Sequence, residues 1–329
     1  MMNTQTTKIQ TSRSFSVADL TQLYARYGIV AALILLCVIL ALSNEYFMTW
    51  GNWTDILRQS AINGILAIGM TYVVLTAGID LSVGAILAFA GIVSASLVAG
   101  DNPHGIAIGI GAGLLVGAAM GAVNGLLVAR CSVPPFVATL GMLSVARGFT
   151  YIYNGGMPVS DLPNAFLAIG GGHLWKIPVP VLIFAATIII CWSVLRYTTY
   201  GRYIYAVGGN PKSAKTSGIS TAKMIFSVYV VSGLLAGLAG VVLAARTTAA
   251  LPQAGMSYEL DAIAAVVIGG TSLSGGAGSL GGTVVGALLI GVINNGLNLL
   301  GVSSYYQQVV KGVIIVGAVL LDASRKKSS

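Results

Sequence analysis

Apolar runs that carry almost no charge decide what this chain can fold into. From residue 27 to residue 321 they alternate with short polar breaks. Inside hydrocarbon no water bonds the backbone N–H and C=O groups, so only helices and closed barrels can cross it. Barrel strands would alternate apolar and polar residues over about ten positions, and no segment here does so. The runs are therefore expected to be helices, at 27–44, 60–78, 81–99, 105–129, 135–154, 178–195, 224–245, 258–270, 280–300 and 304–321. Each approaches the roughly 20 residues that a bilayer requires, except 258–270, which is short. The expected fold is all-α, a polytopic membrane protein of about ten transmembrane helices. Residues 1–26 form a leading segment, 27–323 the transmembrane domain and 324–329 a tail.

Composition removes several classes of function. Charged residues make up 8% of the chain against 56% hydrophobic, too few to cover a water-soluble globule of 329 residues. The net charge of +8 sits beside apolar runs rather than in a stripe interleaved with aromatics, which argues against nucleic acid as a partner. Cys37, Cys131 and Cys191 lack C-x-x-C spacing, so neither a disulfide framework nor a thiolate metal site is expected. His104 and His173 stand apart with no H-E-x-x-H and no clustered carboxylates. Segment 269–282 holds seven glycines but no lysine, and nothing fits the phosphate loop G-x-x-x-x-G-K-[ST]. No nucleophile and base stand together, so neither an enzyme nor a bound cofactor is expected.

Cations flanking short loops stay on the cytoplasmic side. If the amino terminus is inside, that side holds Lys8, Arg13, Arg26, Arg130, Arg196, Arg202, Lys212, Lys215, Lys223, Arg325, Lys326 and Lys327. The other side holds only Arg58, Lys176 and Arg246, while Arg147 and Lys311 fall within spans. Both termini are thus expected in the cytoplasm. The interior stretch 196–223 gathers five of these cations and no acid. Within it Asn210 caps free amides, Pro211 suits a first helical position and Gly218 closes the end, so a short cationic helix is expected outside the lipid.

Gly109, Gly113, Gly117, Gly121 and Gly125 recur every fourth residue. On a helix they make a bare stripe about 24 Å long, against which another backbone can lie closely. Packing within one subunit is the plainer outcome and a contact between subunits the other. Gly282 with Gly286, and Gly233 with Gly237, are shorter versions. Segment 78–84 resembles 270–276, and Asn124-Gly125 with Ser132 lines up with Asn295-Gly296 and Ser303. The first match is offset by 192 residues and the second by 171, so an internal duplication is suggested without its sense being fixed.

Polar residues inside apolar runs are the candidates for a translocation path. Asp80 either starts the helix at Leu81 as a surface cap or is buried for a purpose. Arg147 lies about 10 Å inside its helix end, beyond easy snorkelling, and is expected to be buried or to line a cavity. Asn294, Asn295 and Asn298 share a helix face and either knit helices together or offer uncharged amides to a neutral polyol. Asn124 and Gln307 complete the candidate path.

The segment Gly201-Arg202-Tyr203-Ile204-Tyr205-Ala206-Val207-Gly208-Gly209-Asn210, followed by Ala214 and Gly218-Ile219, resembles the cytoplasmic coupling segment of permease subunits of ATP-binding-cassette importers for monosaccharides. The likeness continues through Ala77-Gly78-Ile79-Asp80-Leu81-Ser82-Val83-Gly84, through Glu259-Leu260-Asp261-Ala262-Ile263-Ala264, and on to Asn294-Asn295-Gly296-Leu297-Asn298. It implies a bacterial inner-membrane location and a pore made by two permease copies. It also implies an ATPase dimer engaged through Arg202, Gly209, Asn210, Pro211, Ala214 and Gly218, and a periplasmic sugar-binding protein on the far side. Ribose is the sugar expected first, with allose, xylose or another sugar behind it. The competing expectation is an ion-coupled transporter working without an ATPase, which the scarcity of intramembrane carboxylates disfavours.

Overall fold

The computed structural model describes residues 17–100 and 105–327, without the side chains of 17–27, 318 and 321–327. Lys8, Arg13, His104 and the end of the tail lie outside the described residues, as do the side chains of Arg26, Arg325, Lys326 and Lys327. Thirteen helices and one small hairpin are present among the described residues. The helices are α1 (Val17–Ser43), α2 (Trp50–Leu75), α3 (Val83–Val98), α4 (Ile106–Ala129), α5 (Pro135–Tyr153), α6 (Asn164–Gly171), α7 (Val179–Tyr197), α8 (Thr199–Gly209), α9 (Pro211–Thr216), α10 (Thr221–Arg246), α11 (Tyr258–Ile268), α12 (Leu280–Leu299) and α13 (Ser304–Lys327). Strands β1 (His173–Leu174) and β2 (Ile177–Pro178) pair antiparallel between α6 and α7.

Every apolar run expected to be a helix is one, but several boundaries differ. Helix α2 starts ten residues before the expected 60, because the Thr49 hydroxyl caps it by accepting from the Asn52 N–H. Its polar first turns are satisfied locally: Asn52 bonds the Phe47 carbonyl at 2.9 Å and Arg58 reaches Asp55 at 3.4 Å. Helix α1 likewise begins at Val17, inside the expected leading segment, and α13 runs into the expected tail. Helix α6 was not expected, being too short to show a period. It is set by Pro163 at its cap and by burial of Phe166 and Gly170.

Among the described residues four helices, α4, α7, α10 and α12, are long and apolar enough by themselves to cross a membrane. Helix α2 falls short of that standard for a physical reason. From Ser60 to Leu75 it is buried on every side by other helices, so it meets protein rather than lipid and can carry Asn63 and Thr71. Helix α11 has 11 residues, about 16 Å, and reaches only part of the way across. The outer ring is apolar and uncovered: Ile34 and Leu42 on α1, Leu115 on α4, Ile152 on α5, Ile190 on α7 and Val313 on α13 are all exposed. In water such a surface would be a liability, whereas lipid satisfies it.

The glycine stripe on α4 packs inside the subunit. A Cβ at Gly117 would overlap the Gly233 carbonyl oxygen and one at Gly121 the Tyr229 carbonyl oxygen, both on α10. From the other side, a Cβ at Gly233 would overlap the carbonyl oxygen of Gly117. Gly91 of α3 meets Gly240 of α10 in the same way, with 3.0 Å between its Cβ position and the Gly240 carbonyl oxygen. Gly282 and Gly286 bring α12 against Gly269 and Ala265. With no hydrophobic drive between helices in lipid, these backbone approaches supply the dispersion contacts that hold the bundle.

Candidate functional site

The loop between α2 and α3 is a buried polar knot. Asp80 is fully buried; its Oδ1 accepts from the Ser82 N–H at 3.1 Å and from the Ser82 hydroxyl, and its Oδ2 accepts from Ser232 of α10 at 2.8 Å. Asn124 of α4 donates to the Ser82 hydroxyl at 2.9 Å. Asp80 thus does not cap α3 at a surface: that helix starts at Val83, and Asp80 ties its approach to α4 and α10. Ile79 adds a carbonyl that accepts from Thr139 of α5 at 3.3 Å and from Tyr229 of α10 at 3.4 Å. A buried carboxylate persists only when its lone pairs are bonded, and here three donors reach it.

A second cluster was only half visible in the sequence. Asp261, in the first turn of α11, is 2% exposed and accepts from Lys311 of α13 at 2.9 Å. Asn63 of α2 donates to it at 3.4 Å, and the buried Asn294 of α12 lies beside it. Four helices therefore meet on one ion pair. Asn294 was a candidate from sequence, while Asp261, Asn63 and Lys311 were not. The available signal was a lone lysine in one apolar run and two acids, Glu259 and Asp261, in another, since a lipid-embedded charge requires a partner.

The three asparagines of α12 go to three different places. Asn294 joins Asp261, whereas Asn295 makes a reciprocal amide pair with Asn52 of α2, at 2.7 and 3.1 Å. Asn298 accepts from Gln307 of α13 at 2.7 Å. Asn295 and Asn298 spend hydrogen bonds on a neighbouring helix, the knitting role.

Arg147 is half-buried, and its Nη1 donates to the carbonyls of Pro252 and Ala254 at 2.7 and 2.9 Å. It holds the connection between α10 and α11, where two carbonyl oxygens take the place of water for the guanidinium. Arg147→Ala is expected to release that connection at a cost of about 2 kcal/mol, typical of charge-assisted hydrogen bonds. Faster amide exchange across residues 247–257 is the readout, and unchanged exchange would show that the tether is idle.

Helices α8 and α9 make up the stretch for which coupling was expected, and their seating is explicit. Gly201, Ile204, Val207 and Gly208 are the buried face of α8. Tyr200 bonds Ser227 of α10 at 2.8 Å, and Tyr205 donates to the Gly278 carbonyl at 3.0 Å. A Cβ on Gly208 would overlap the Leu75 carbonyl that ends α2. That carbonyl already accepts from Gly276 N–H at 2.9 Å, and Gly276, at φ 73°, occupies a conformation suited to glycine. The loops after α2 and after α11, which carry the first suggested repeat, thus lie side by side beneath α8. Asn210 caps α9 by accepting from the Ser213 N–H at 3.0 Å, as expected of it, and Gly218 at φ 83° closes the end. Only Ala214 of α9 is buried; Pro211, Lys212 and Lys215 are exposed, as are Gly209 and Arg202 on α8. Among the described residues no cluster of His, Cys, Asp or Glu could hold a metal ion.

Helix α8 is bolted to α2, α10 and the α11–α12 loop, and the exposed, basic α9 follows it directly. The class so defined is a polytopic helical membrane protein. The chain belongs to the family described as branched-chain amino acid transport system / permease component, which matches residues 52–319. It is 46% identical over 329 residues to the ribose import permease protein RbsC of Escherichia coli (strain K12), covering 99% of this chain and all of that one. It is 48% identical over 308 residues to RbsC of Bacillus subtilis (strain 168), covering 92% of this chain and 94% of that one. The D-allose transport system permease protein AlsC of Escherichia coli (strain K12) is 44% identical over 322 residues, 96% of this chain and 98% of that one. No solved structure matches. The chain is accordingly a multi-pass inner-membrane permease, a transport component rather than an enzyme.

Proposed function

We propose that this permease carries a monosaccharide, ribose before any other, into the cytoplasm. The observation that carries this reading is near-full-length identity of 46% and 48% to two ribose import permeases. The chemistry supports a neutral cargo over the amino acids of the family description. Lys311 pairs with Asp261, Asp80 is held by hydroxyl and N–H donors, and the other buried polar groups are amides and hydroxyls. A zwitterion would require counter-charges left free, whereas a polyol requires only neutral donors and acceptors.

In this proposal two copies of the chain enclose the path, and both termini lie in the cytoplasm, as the count of flanking cations indicates. An ATPase dimer docks on α9 and the adjoining Gly209, while a periplasmic binding protein delivers sugar to the opposite face. ATP-driven closure of the ATPase pair moves α9. Through Tyr200, Tyr205 and Gly208 that motion reaches α10, the α11–α12 loop and α2, switching access between the two sides.

The test is ATPase activity of the reconstituted permease, ATPase and binding protein with each sugar in turn. Ribose should stimulate most, and a stronger response to allose or arabinose would reassign the cargo. Ala214→Asp puts a charge at the seat of α9, and the exposed pair Lys212→Glu/Lys215→Glu leaves that seat intact. Both are expected to lower sugar uptake about tenfold through lost electrostatic complementarity, with the permease still folded. Wild-type uptake in both would remove α9 from the coupling role.

A further inference from the structure

Beside the coupling segment lies an open groove of about 420 Å³ lined by Trp192, Leu195 and Arg196 of α7, Arg202 and Tyr205 of α8, and Gly278 to Gly281 at the start of α12. Two arginines face it and no acid lines it. Neither guanidinium has a hydrogen-bonding or ionic partner among the described residues, and both residues are exposed. Unpaired guanidiniums sharing one concavity are costly through mutual repulsion unless an anion joins them.

The opposite wall adds donors. Ser279 caps α12 by accepting from the Gly282 N–H at 3.1 Å, which leaves the N–H groups of Leu280 and Gly281 without intrahelical partners. Space at Gly281 is open, with nothing within 4 Å of its Cβ position. The start of a 20-residue helix thus faces two arginines across an empty gap.

The surroundings select the kind of anion. Trp192 stands one turn before Arg196 and packs edge-on against Tyr197, with ring centroids 5.3 Å apart. Both rings are exposed, as aromatic residues are at a bilayer interface. One turn further into the membrane Ile189 and Ile190 are exposed on the same helix. Phosphate chemistry at the groove is therefore continuous with an apolar face for acyl chains. We infer that the groove holds the phosphodiester of an anionic phospholipid between Arg196, Arg202 and the amino terminus of α12, with its chains along Trp192 and Ile189. Its leaflet, the cytoplasmic one, rests on the orientation proposed above. A lipid held there would brace α7, α8 and α12 where the coupling motion enters, since basic pockets between spans suit such headgroups.

The test uses the full chain with Trp50, Trp53 and Trp175 replaced by phenylalanine, so that Trp192 alone reports. It is reconstituted in phosphatidylcholine vesicles containing either phosphatidylglycerol or further phosphatidylcholine brominated in its chains. Brominated phosphatidylglycerol should quench Trp192 at a lower mole fraction than the brominated neutral lipid. Arg196→Gln and Arg202→Gln should each reduce that preference about fivefold, and Arg196→Lys should retain part of it. Gly281→Leu, which fills the groove from the other wall and keeps both arginines, should abolish it in a protein of unchanged melting temperature. Equal quenching by the two lipids, or a preference indifferent to all these variants, would overturn the inference. Displacement of the brominated lipid by inorganic phosphate would make this a free-anion site, and loss of quenching on adding the ATPase would make it a protein-docking surface; either overturns it as well. Thiol labelling of Lys212→Cys from each side of the membrane tests the orientation separately. An outward α9 would overturn the coupling proposal without changing the measured lipid preference.

Discussion

Exchange of Gly117 for valine is expected to abolish recovery of folded permease from membranes, while exchange of Gly111 for alanine on the same helix leaves it intact. The two glycines are six residues apart on α4 and differ only in what lies beyond them. A Cβ at Gly117 would run into the Gly233 carbonyl and the backbone of Gly237, whereas one at Gly111 meets nothing within 4 Å. Backbone cannot rotate out of the way as a side chain can, so α4 and α10 must separate along their length. Overpacking of this kind costs about 1–3 kcal/mol where side chains can yield, and more is expected here because both obstructions are main chain. Gly111→Ala gains helix propensity of somewhat under 1 kcal/mol and should be neutral or slightly stabilising. Thermal unfolding of the detergent-solubilised protein reads both, and a Gly117→Val protein melting like the parent would mean that the α4–α10 contact is looser than described.

Loss of Lys311 is expected to have the next largest effect. Lys311→Met leaves the Asp261 carboxylate 2% exposed among four helices without its counter-charge. Removing one partner of a buried pair typically costs about 3–5 kcal/mol, while replacing both is often nearly neutral. Asp261→Asn/Lys311→Met should therefore recover most of the lost stability, the new amide having Asn63 and Asn294 as neighbours. The double variant also separates structure from transport. Restored melting with restored ribose uptake would confine the pair to holding α11 against α13, and restored melting without uptake would place it on the transport cycle. Equal melting of the parent and Lys311→Met would show that the ion pair contributes nothing to the fold.

The apolar runs located nearly every long helix because hydrocarbon imposes length and composition on a span directly. Boundaries were missed where a helix leaves that environment. The first turns of α2 are polar because Asn52 bonds Asn295 of α12 and Arg58 meets His173 of β1, facts about neighbours rather than about the run itself. Residues Asn210 to Gly218 announced α9 through local capping chemistry, which acts over three or four positions and so is written in the sequence. The candidate path was less legible. Asp80, Asn124, Arg147, Asn295, Asn298 and Gln307 were found by their polarity, yet each is bonded to an adjacent element. Asp261 escaped notice because it sits at the start of a short run and its partner lies 50 residues further on.

The sequence by itself determined that the chain is a helical membrane bundle with a basic, capped helix outside it, because solvent exclusion and capping act on consecutive residues. Only the tertiary structure decided which stripe of glycines meets which, that Lys311 answers Asp261, and that Arg196 and Arg202 share a groove with the start of α12. Those pairings depend on helix rotation and crossing, which are set by contacts between residues far apart in the chain and leave no periodic trace along it.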